Sequence, residues 1–249
     1  MDLKKKLALV VGVILVVILS LIVVIILIKQ SKSIVPYTIN SVDQHIVSNS
    51  TDISYPAIRL EGGGVGSDQL VLAGENINRI IKDEVDVISS STYPRRMGVF
   101  DSVRVKFEQI PVFIPAHNVF SIVLNVFLDG KKVAHPDNFI ETFTFDIENG
   151  KRLSLADLFV KDSSYLERLS TLVIAELPRI ARERDISKDT FFMEGVAPKV
   201  ENFTIFTVST DSITLIFNTY QIGPRPLGIV SVDIPFVKIA DILDPKFIY

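Results

Sequence analysis

The chain has 249 residues, of which 48% are hydrophobic, and it contains no cysteine and no tryptophan. The missing cysteines exclude disulfide bonds, thiolate metal sites and thiol nucleophiles. Residues 33–249 hold 21 basic and 28 acidic side chains. This negative net charge argues against nonspecific binding to nucleic acid, which requires a basic surface.

The most hydrophobic segment is residues 7–28, in which only Gly12 and Ser20 are not strongly apolar. A helix of this length reaches about 33 Å, enough for the roughly 30 Å hydrocarbon core of a bilayer. No small-residue cleavage site follows the segment, which favours an uncleaved signal anchor. Three lysines at 4–6 precede it, so the positive-inside rule places residues 1–6 in the cytoplasm as a short tail. The sequence therefore predicts a single-pass cell-membrane protein whose remaining residues lie outside the cytoplasm.

Residues 29–50 are polar, are interrupted by Pro36 and show no sustained hydrophobic period, so they are predicted to be a stalk. A short strand is predicted next, followed by a helix over about 68–88. One stripe of that helix is apolar, which is typical of a helix that packs on a sheet. The stripe consists of Leu70, Ala73, Ile77, Ile80, Ile81 and Ile88.

Alternating residues predict a series of half-buried antiparallel strands from about residue 100 onward. The inward residues are Val103, Val105 and Phe107, then Phe120, Ile122, Leu124, Val126 and Leu128, then Phe143, Phe145 and Ile147. Asp129-Gly130 and Asn149-Gly150 are strong turn signals between such strands. The strands are therefore expected to be neighbours in one antiparallel sheet.

The C-terminal third begins with two serine-acid capping patterns, at Ser154 and Ser164. The second opens a helix predicted to run to about Arg184, with Pro178 expected to kink or interrupt it. Three short strands and a helical turn complete the chain. This order of elements predicts an α+β fold, in which helices pack on antiparallel sheet.

Two segments carry residues suited to binding or chemistry. His135 and Asp137 form the only local histidine-aspartate pair, with Glu141 nearby. Such a pair could orient an imidazole for base catalysis, although a structural role in a loop remains an alternative. The second segment is the proline- and glycine-rich loop 220–228, which offers Tyr220, Gln221 and Arg225 for binding. The alternative is that this loop is only a tight connection of fixed shape between two strands. No recognised catalytic, metal or cofactor motif occurs, so no cofactor and no metal are predicted.

Several stretches resemble the extracytoplasmic domain family shared by the anti-sigma factor RsiV and the noncatalytic part of the peptidoglycan deacetylase PdaC. The most specific are FTFDIENGKRLSLADLF at 143–159 and FNTYQIGPRPLGIVSVDIPF at 217–236. The resemblance implies two parts, a small PdaC-like subdomain at 51–91 and an RsiV-like α+β domain at 92–249. It brings no active site, because the deacetylase's metal ligands belong to a separate domain that nothing in this chain matches. In RsiV the related domain binds lysozyme.

These observations favour a membrane-anchored binding or sensing module outside the cytoplasm, rather than an enzyme. Its expected ligand is a lysozyme-like protein or a cell-wall component, and no nucleic acid is expected to bind. Two alternatives stay open. The first is a hydrolase of envelope glycans or peptides that uses His135 and Asp137, and the second is a structural subunit of an envelope complex.

Overall fold

A computed structural model describes residues 37–46, 51–60, 67–89, 102–110, 119–130 and 135–247. These residues belong to one compact unit that spans Ile34–Tyr249. The predicted tail (1–6) and anchor (7–28) lie outside the described residues. Within the described ranges, no helix combines the length and apolar character needed to cross a membrane.

A six-stranded sheet forms the centre of this unit, with its strands in chain order from edge to edge. Every neighbouring pair is antiparallel except β2 and β3, which pair in parallel over three residues. The strands are β1 (Tyr37–Ile46), β2 (Thr51–Leu60), β3 (Ser102–Ile110), β4 (Val119–Asp129), β5 (Asp137–Asp146) and β6 (Lys151–Leu153).

The N-terminal part of this sheet differs from the sequence prediction. Residues 37–46 were predicted to belong to an irregular stalk. In the structure they form the edge strand β1, which pairs with β2 along its whole length. Its polar, exposed composition is compatible with an edge strand, but it hides the two-residue period on which the prediction relied. β2 and β3 flank the predicted boundary between 91 and 92, yet they are neighbours in one sheet.

Helix α1 (Ser67–Ser89) covers one face of the sheet. The predicted stripe is confirmed, since Ala73, Ile77, Ile81 and Ile88 are buried against the inward residues of β4 and β5. The helix approaches the β5–β6 turn closely. A Cβ on Gly150, whose φ is +69°, would lie 2.5 Å from the carbonyl oxygen of Ala73. This turn therefore requires glycine for its conformation and for the close approach of the helix.

Helix α2 (Tyr165–Glu183) and a three-stranded antiparallel sheet contribute to a second core. The strands of this smaller sheet are β7 (Phe206–Val208), β8 (Ser212–Phe217) and β9 (Val230–Pro235). Pro178 lies inside α2, and the helix continues beyond it to Glu183. The predicted arrangement of helices packed on antiparallel sheet is confirmed for the described residues.

Buried hydroxyl groups join the small sheet to the large one. The backbone N–H of Phe206 donates to Thr142 Oγ1 at 3.0 Å, and that of Val208 donates to Ser121 Oγ at 3.0 Å. Ser121 also shares a hydrogen bond of 2.9 Å with the Thr144 hydroxyl. The outer edge of β7 is therefore satisfied by side chains of β4 and β5 rather than by another strand.

Candidate functional site

The two segments selected from the sequence lie side by side in the structure. The Arg225 side chain donates a hydrogen bond from Nη2 to the carbonyl oxygen of Pro136, between His135 and Asp137. A second link lies just before the loop. Asn218 accepts a hydrogen bond from the Ile140 N–H at 2.7 Å and donates to the Ile140 carbonyl oxygen at 2.9 Å. The first half of β5 and the residue before it are thus hydrogen-bonded both to the loop and to the residue two positions before it.

His135 and Asp137 differ in how they are held. His135 is exposed, whereas Asp137 is partly buried and accepts a hydrogen bond from the Asn138 N–H at 3.0 Å. Among the described residues, no three histidine or acidic side chains come together as metal ligands.

Glu141 lies further along β5, on the face of the sheet covered by α1, and it pairs in register with Leu124. Burial raises the pKa of Glu141 to about 7, and the nearby Glu84 adds to this effect while Arg152 opposes it. A carboxyl group in an apolar setting holds its proton to higher pH because the charged form is poorly solvated. Glu141 therefore titrates near neutral pH beneath the helix.

Gln221 positions the loop rather than projecting from it. Its Nε2 donates to the carbonyl oxygen of Asn202 at 2.8 Å, and its Oε1 accepts from the Asn218 N–H at 3.3 Å. The backbone carbonyl of Gln221 is also closely approached by Gly195, where an added Cβ would lie only 1.9 Å away. The nitrogen and the oxygen of the Gln221 side-chain amide are thus both hydrogen-bonded within the fold.

Tyr220 projects outward from the same loop, and its side chain is 56% exposed. Its backbone φ is +71°, a left-handed conformation that is rare for an aromatic residue and costs free energy. A neighbouring turn adds a second exposed ring, since the N–H of Phe192 donates to the Ile222 carbonyl oxygen at 2.9 Å and its side chain is 47% exposed. We call this region the Tyr220 surface. It comprises His135, Asp137, Phe192, Tyr220 and Arg225.

The sequence did not point to Phe192, because a phenylalanine in an unclassified loop is ordinarily assigned to the core. It also gave no sign of a separate pocket of about 450 Å³, here called the Arg152 pocket. Its lining comes from β5, β6 and the segment that follows it, the start of α2, and residues 200–206. Half of these residues lie within the 143–159 stretch, but the sequence does not show that they line a cavity. The lining residues are Thr142, Thr144, Arg152, Leu153, Ser154, Leu155, Ala156, Asp157, Tyr165, Leu166, Val200, Phe203, Thr204 and Phe206.

Comparison with protein families gives a match to the "Protein of unknown function (DUF3298)" family over residues 156–237. This range begins just after β6 and includes α2 and the whole three-stranded sheet. The chain is also 37% identical over 116 residues to the peptidoglycan-N-acetylmuramic acid deacetylase PdaC of Bacillus subtilis (strain 168). That alignment spans 46% of this chain but only 24% of the deacetylase.

Solved structures of two DUF3298 family proteins share this fold. One, from Pseudomonas aeruginosa PAO1, aligns over 88% of this chain and 98% of its own, with a TM-score of 0.56 and 12% identity. The other, from Bacteroides fragilis NCTC 9343, aligns over 85% of this chain and 94% of its own, with a TM-score of 0.53 and 18% identity. Residues 156–237 therefore resemble the DUF3298 family, and the predicted resemblance to the RsiV- and PdaC-like domains is confirmed.

Proposed function

We propose that the protein is a membrane-anchored, extracytoplasmic module that uses the Tyr220 surface to bind a lysozyme-like protein or a cell-wall component. The exposed ring of Tyr220 carries the proposal, because the fold holds it in an unfavourable backbone conformation. Such strain persists only where the surrounding structure enforces it, and it is concentrated at binding and active sites.

The surroundings of Tyr220 support this interpretation. The Gln221 side chain hydrogen-bonds the loop to Asn202, and Arg225 hydrogen-bonds it to Pro136 just before β5. The tyrosine ring therefore projects from a loop that is held at two points. A tyrosine ring offers a large apolar face with a polar tip, which suits contacts with a sugar ring or with a protein surface. A loop held in this way lowers the entropy cost of binding.

The deacetylase relative supports the choice of ligand class. Its name states that it acts on peptidoglycan, and it shares a stretch of 116 residues with this chain. The shared stretch covers a quarter of that enzyme, so its activity is not assigned to this chain. A module common to this chain and a wall enzyme favours a ligand found in the wall or acting on it.

The test uses the full chain in lipid nanodiscs, with hen lysozyme and soluble peptidoglycan fragments titrated separately by calorimetry. We expect one of the two to bind, and we expect Tyr220→Ala to weaken that binding about tenfold, as for a central aromatic contact. Val237→Ala is the matched control, because Val237 is 84% exposed and lies outside the Tyr220 surface.

Two results would count against the proposal. If neither ligand binds the wild-type chain, both favoured ligand classes are removed. If Tyr220→Ala and Val237→Ala bind the ligand equally well, the binding surface lies elsewhere on the protein.

A further inference from the structure

The Arg152 pocket lies where β6 ends. β6 has only three residues and pairs with Thr144, Phe145 and Asp146, so within the described ranges no strand continues it alongside Thr142 of β5. Apolar side chains form much of the cavity wall, among them Leu155, Phe203 and Phe206. A volume of about 450 Å³ lies within the range of pockets that hold small molecules. The pocket thus offers an apolar space at an open sheet edge.

Arg152 is the cationic group of the pocket lining, and much of its hydrogen-bonding capacity is unused within the described residues. Its Nη2 lies 3.4 Å from the Thr142 carbonyl oxygen, which is long for a hydrogen bond. Its guanidinium sits 4.5 Å from the centre of the Phe143 ring, which holds the group in place without using an N–H. A guanidinium has five N–H donors in a planar fork that fits a carboxylate.

Among the described residues, three acidic groups lie near Arg152, and none of them competes strongly for it. Glu141 interacts with it electrostatically, but burial raises the pKa of Glu141 to about 7, so this carboxyl is only partly charged near neutral pH. Asp157 is the acid of the pocket lining. It accepts hydrogen bonds from Lys151 Nζ at 2.6 Å and from the Ser154 N–H and hydroxyl at 2.8 and 2.6 Å. Glu84 lies 4.0 Å from Arg152 Nη1, and both side chains are more than a third exposed, so solvent screens this pair.

We propose that the Arg152 pocket binds a small carboxylate with an apolar body, its carboxylate on Arg152 and its body against the apolar wall. This site is separate from the Tyr220 surface and does not depend on the proposed function. The same chemistry is offered by a free aryl- or alkyl-carboxylic acid and by the C-terminal apolar residue of a peptide.

The experiment uses the full chain in lipid nanodiscs, with the heat from empty nanodiscs subtracted. The probes are 3-phenylpropanoate and acetyl-Gly-Gly-Phe, which represent the two sources, and the neutral 3-phenylpropanol and cationic 3-phenylpropylamine. We expect saturable binding of at least one carboxylate and weaker binding of the alcohol and the amine. The tighter of the two carboxylates identifies the source.

Two variants locate the site. Arg152→Gln should weaken carboxylate binding roughly tenfold or more, because it removes a charge-assisted hydrogen bond, and should leave the alcohol unchanged. Ala156 lines the pocket and is itself exposed, so Ala156→Phe adds a ring at the pocket rim and should weaken the binding of every probe. Ala240→Phe is its matched control, since Ala240 is an exposed turn residue outside the pocket lining.

The proposal is overturned if neither carboxylate shows saturable heat up to about 5 mM, a weak affinity even for a fragment-sized ligand. It is also overturned if Ala156→Phe binds like the wild type, or if the alcohol binds as tightly as 3-phenylpropanoate. Thermal unfolding of each variant, measured without probe, shows whether a loss of binding reflects a loss of folding instead. If Arg152→Gln is unfolded, Ala156→Phe still tests whether the ligand binds in the Arg152 pocket. The comparison of 3-phenylpropanol with 3-phenylpropanoate still tests whether the pocket prefers a carboxylate.

Discussion

The two faces of the large sheet are packed in different ways, although β4 and β5 contribute to both. On the α1 face the fully buried side chains of these strands are hydrocarbon, for example Phe120, Ile122 and Phe143, and Glu141 is partly buried beside them. On the opposite face the same strands bury the hydroxyl residues Ser121, Thr142 and Thr144 beside Val119 and Val123. Their hydroxyls form the hydrogen-bonded junction with β7, directly at Ser121 and Thr142.

The contacts on the two faces differ in how strongly they depend on the orientation of the groups involved. Apolar burial is nearly independent of orientation, so the α1 face gains stability in proportion to the area it covers. A hydroxyl that accepts from a particular N–H also fixes which residue lies opposite it. The second face therefore sets the register of β7 against the large sheet, and with it the position of the small sheet that leads into the Tyr220 loop. The two faces should respond differently to mutation.

The largest expected effect is on the apolar face. Ile81 is fully buried in α1, and Ile81→Ala should lower the free energy of unfolding by about 2–5 kcal/mol through lost burial and the resulting cavity. Urea denaturation of the full chain in nanodiscs measures the loss. Leu72→Ala is the control on the same helix, because Leu72 is 64% exposed. Equal effects of the two substitutions would show that α1 does not pack as described.

The pH dependence of stability tests Glu141, an ionisable group on the face of the sheet that α1 covers. Because the pKa of Glu141 is raised from 4.5 to about 7, the folded state holds this proton more tightly than the unfolded state. The contribution of Glu141 to stability is then greatest below about pH 4.5 and falls as pH rises to about 7, by roughly 3 kcal/mol at most. Glu84 and Arg152 are the charged groups that face it.

Glu141→Gln removes the titrating group, so we expect the variant to be more stable than the wild type at pH 8 and nearly equal to it at pH 4.5. Urea denaturation at several pH values measures the difference. A difference that stays constant across this range would show that Glu141 does not titrate there.

The contrast between the faces also explains how far the sequence could predict the fold. The alternation of Phe120, Ile122 and Leu124 marks the α1 face, because apolar residues at every second position are typical of a strand with one buried face. The same alternation assigns Ser121 and Thr142 to the polar side, and polarity alone does not show that a second sheet covers that side. β1 was not predicted for a related reason. Its pairing with β2 does not require apolar residues at every second position, so its own sequence shows no two-residue period.

The candidate site was predictable in its parts but not as a whole. The loop 220–228 is marked by its prolines and glycines, and His135 with Asp137 by residue type. Their proximity depends on the Arg225 to Pro136 contact, which joins positions 89 residues apart. Short-range patterns carry no information about such a contact. The Arg152 pocket is lined by four separate segments between residues 142 and 206, so it could be found only in the folded structure.

A smaller effect is expected on the hydroxyl face. Thr142→Val keeps the shape of the side chain but leaves the Phe206 N–H buried without its acceptor, which should cost about 1–3 kcal/mol. Thr210→Val is the matched control, because Thr210 is exposed in the turn between β7 and β8. If Thr142→Val proves as stable as the control, the junction is held by apolar packing like the α1 face, and the contrast between the faces fails.

The smallest effect is expected at the loop after β8, and its sign is opposite. Tyr220→Gly should raise the free energy of unfolding by about 0.5–1 kcal/mol, because glycine adopts φ of +71° without a Cβ penalty. Part of this gain is offset by the greater freedom of glycine in the unfolded chain. The exposed ring loses little burial, and the melting temperature should rise by about 1–4 °C.

Tyr220→Ala separates the two roles of this residue. Alanine also removes the ring but keeps the Cβ, so it should lose ligand binding as glycine does without gaining the stability. We expect both variants to bind the ligand more weakly, and only Tyr220→Gly to be more stable than the wild type. This result would mean that the backbone conformation that exposes the Tyr220 ring lowers the stability of the fold. If glycine brings no gain, the φ of Tyr220 is relaxed by its surroundings, and strain no longer distinguishes the Tyr220 surface from any other exposed aromatic residue.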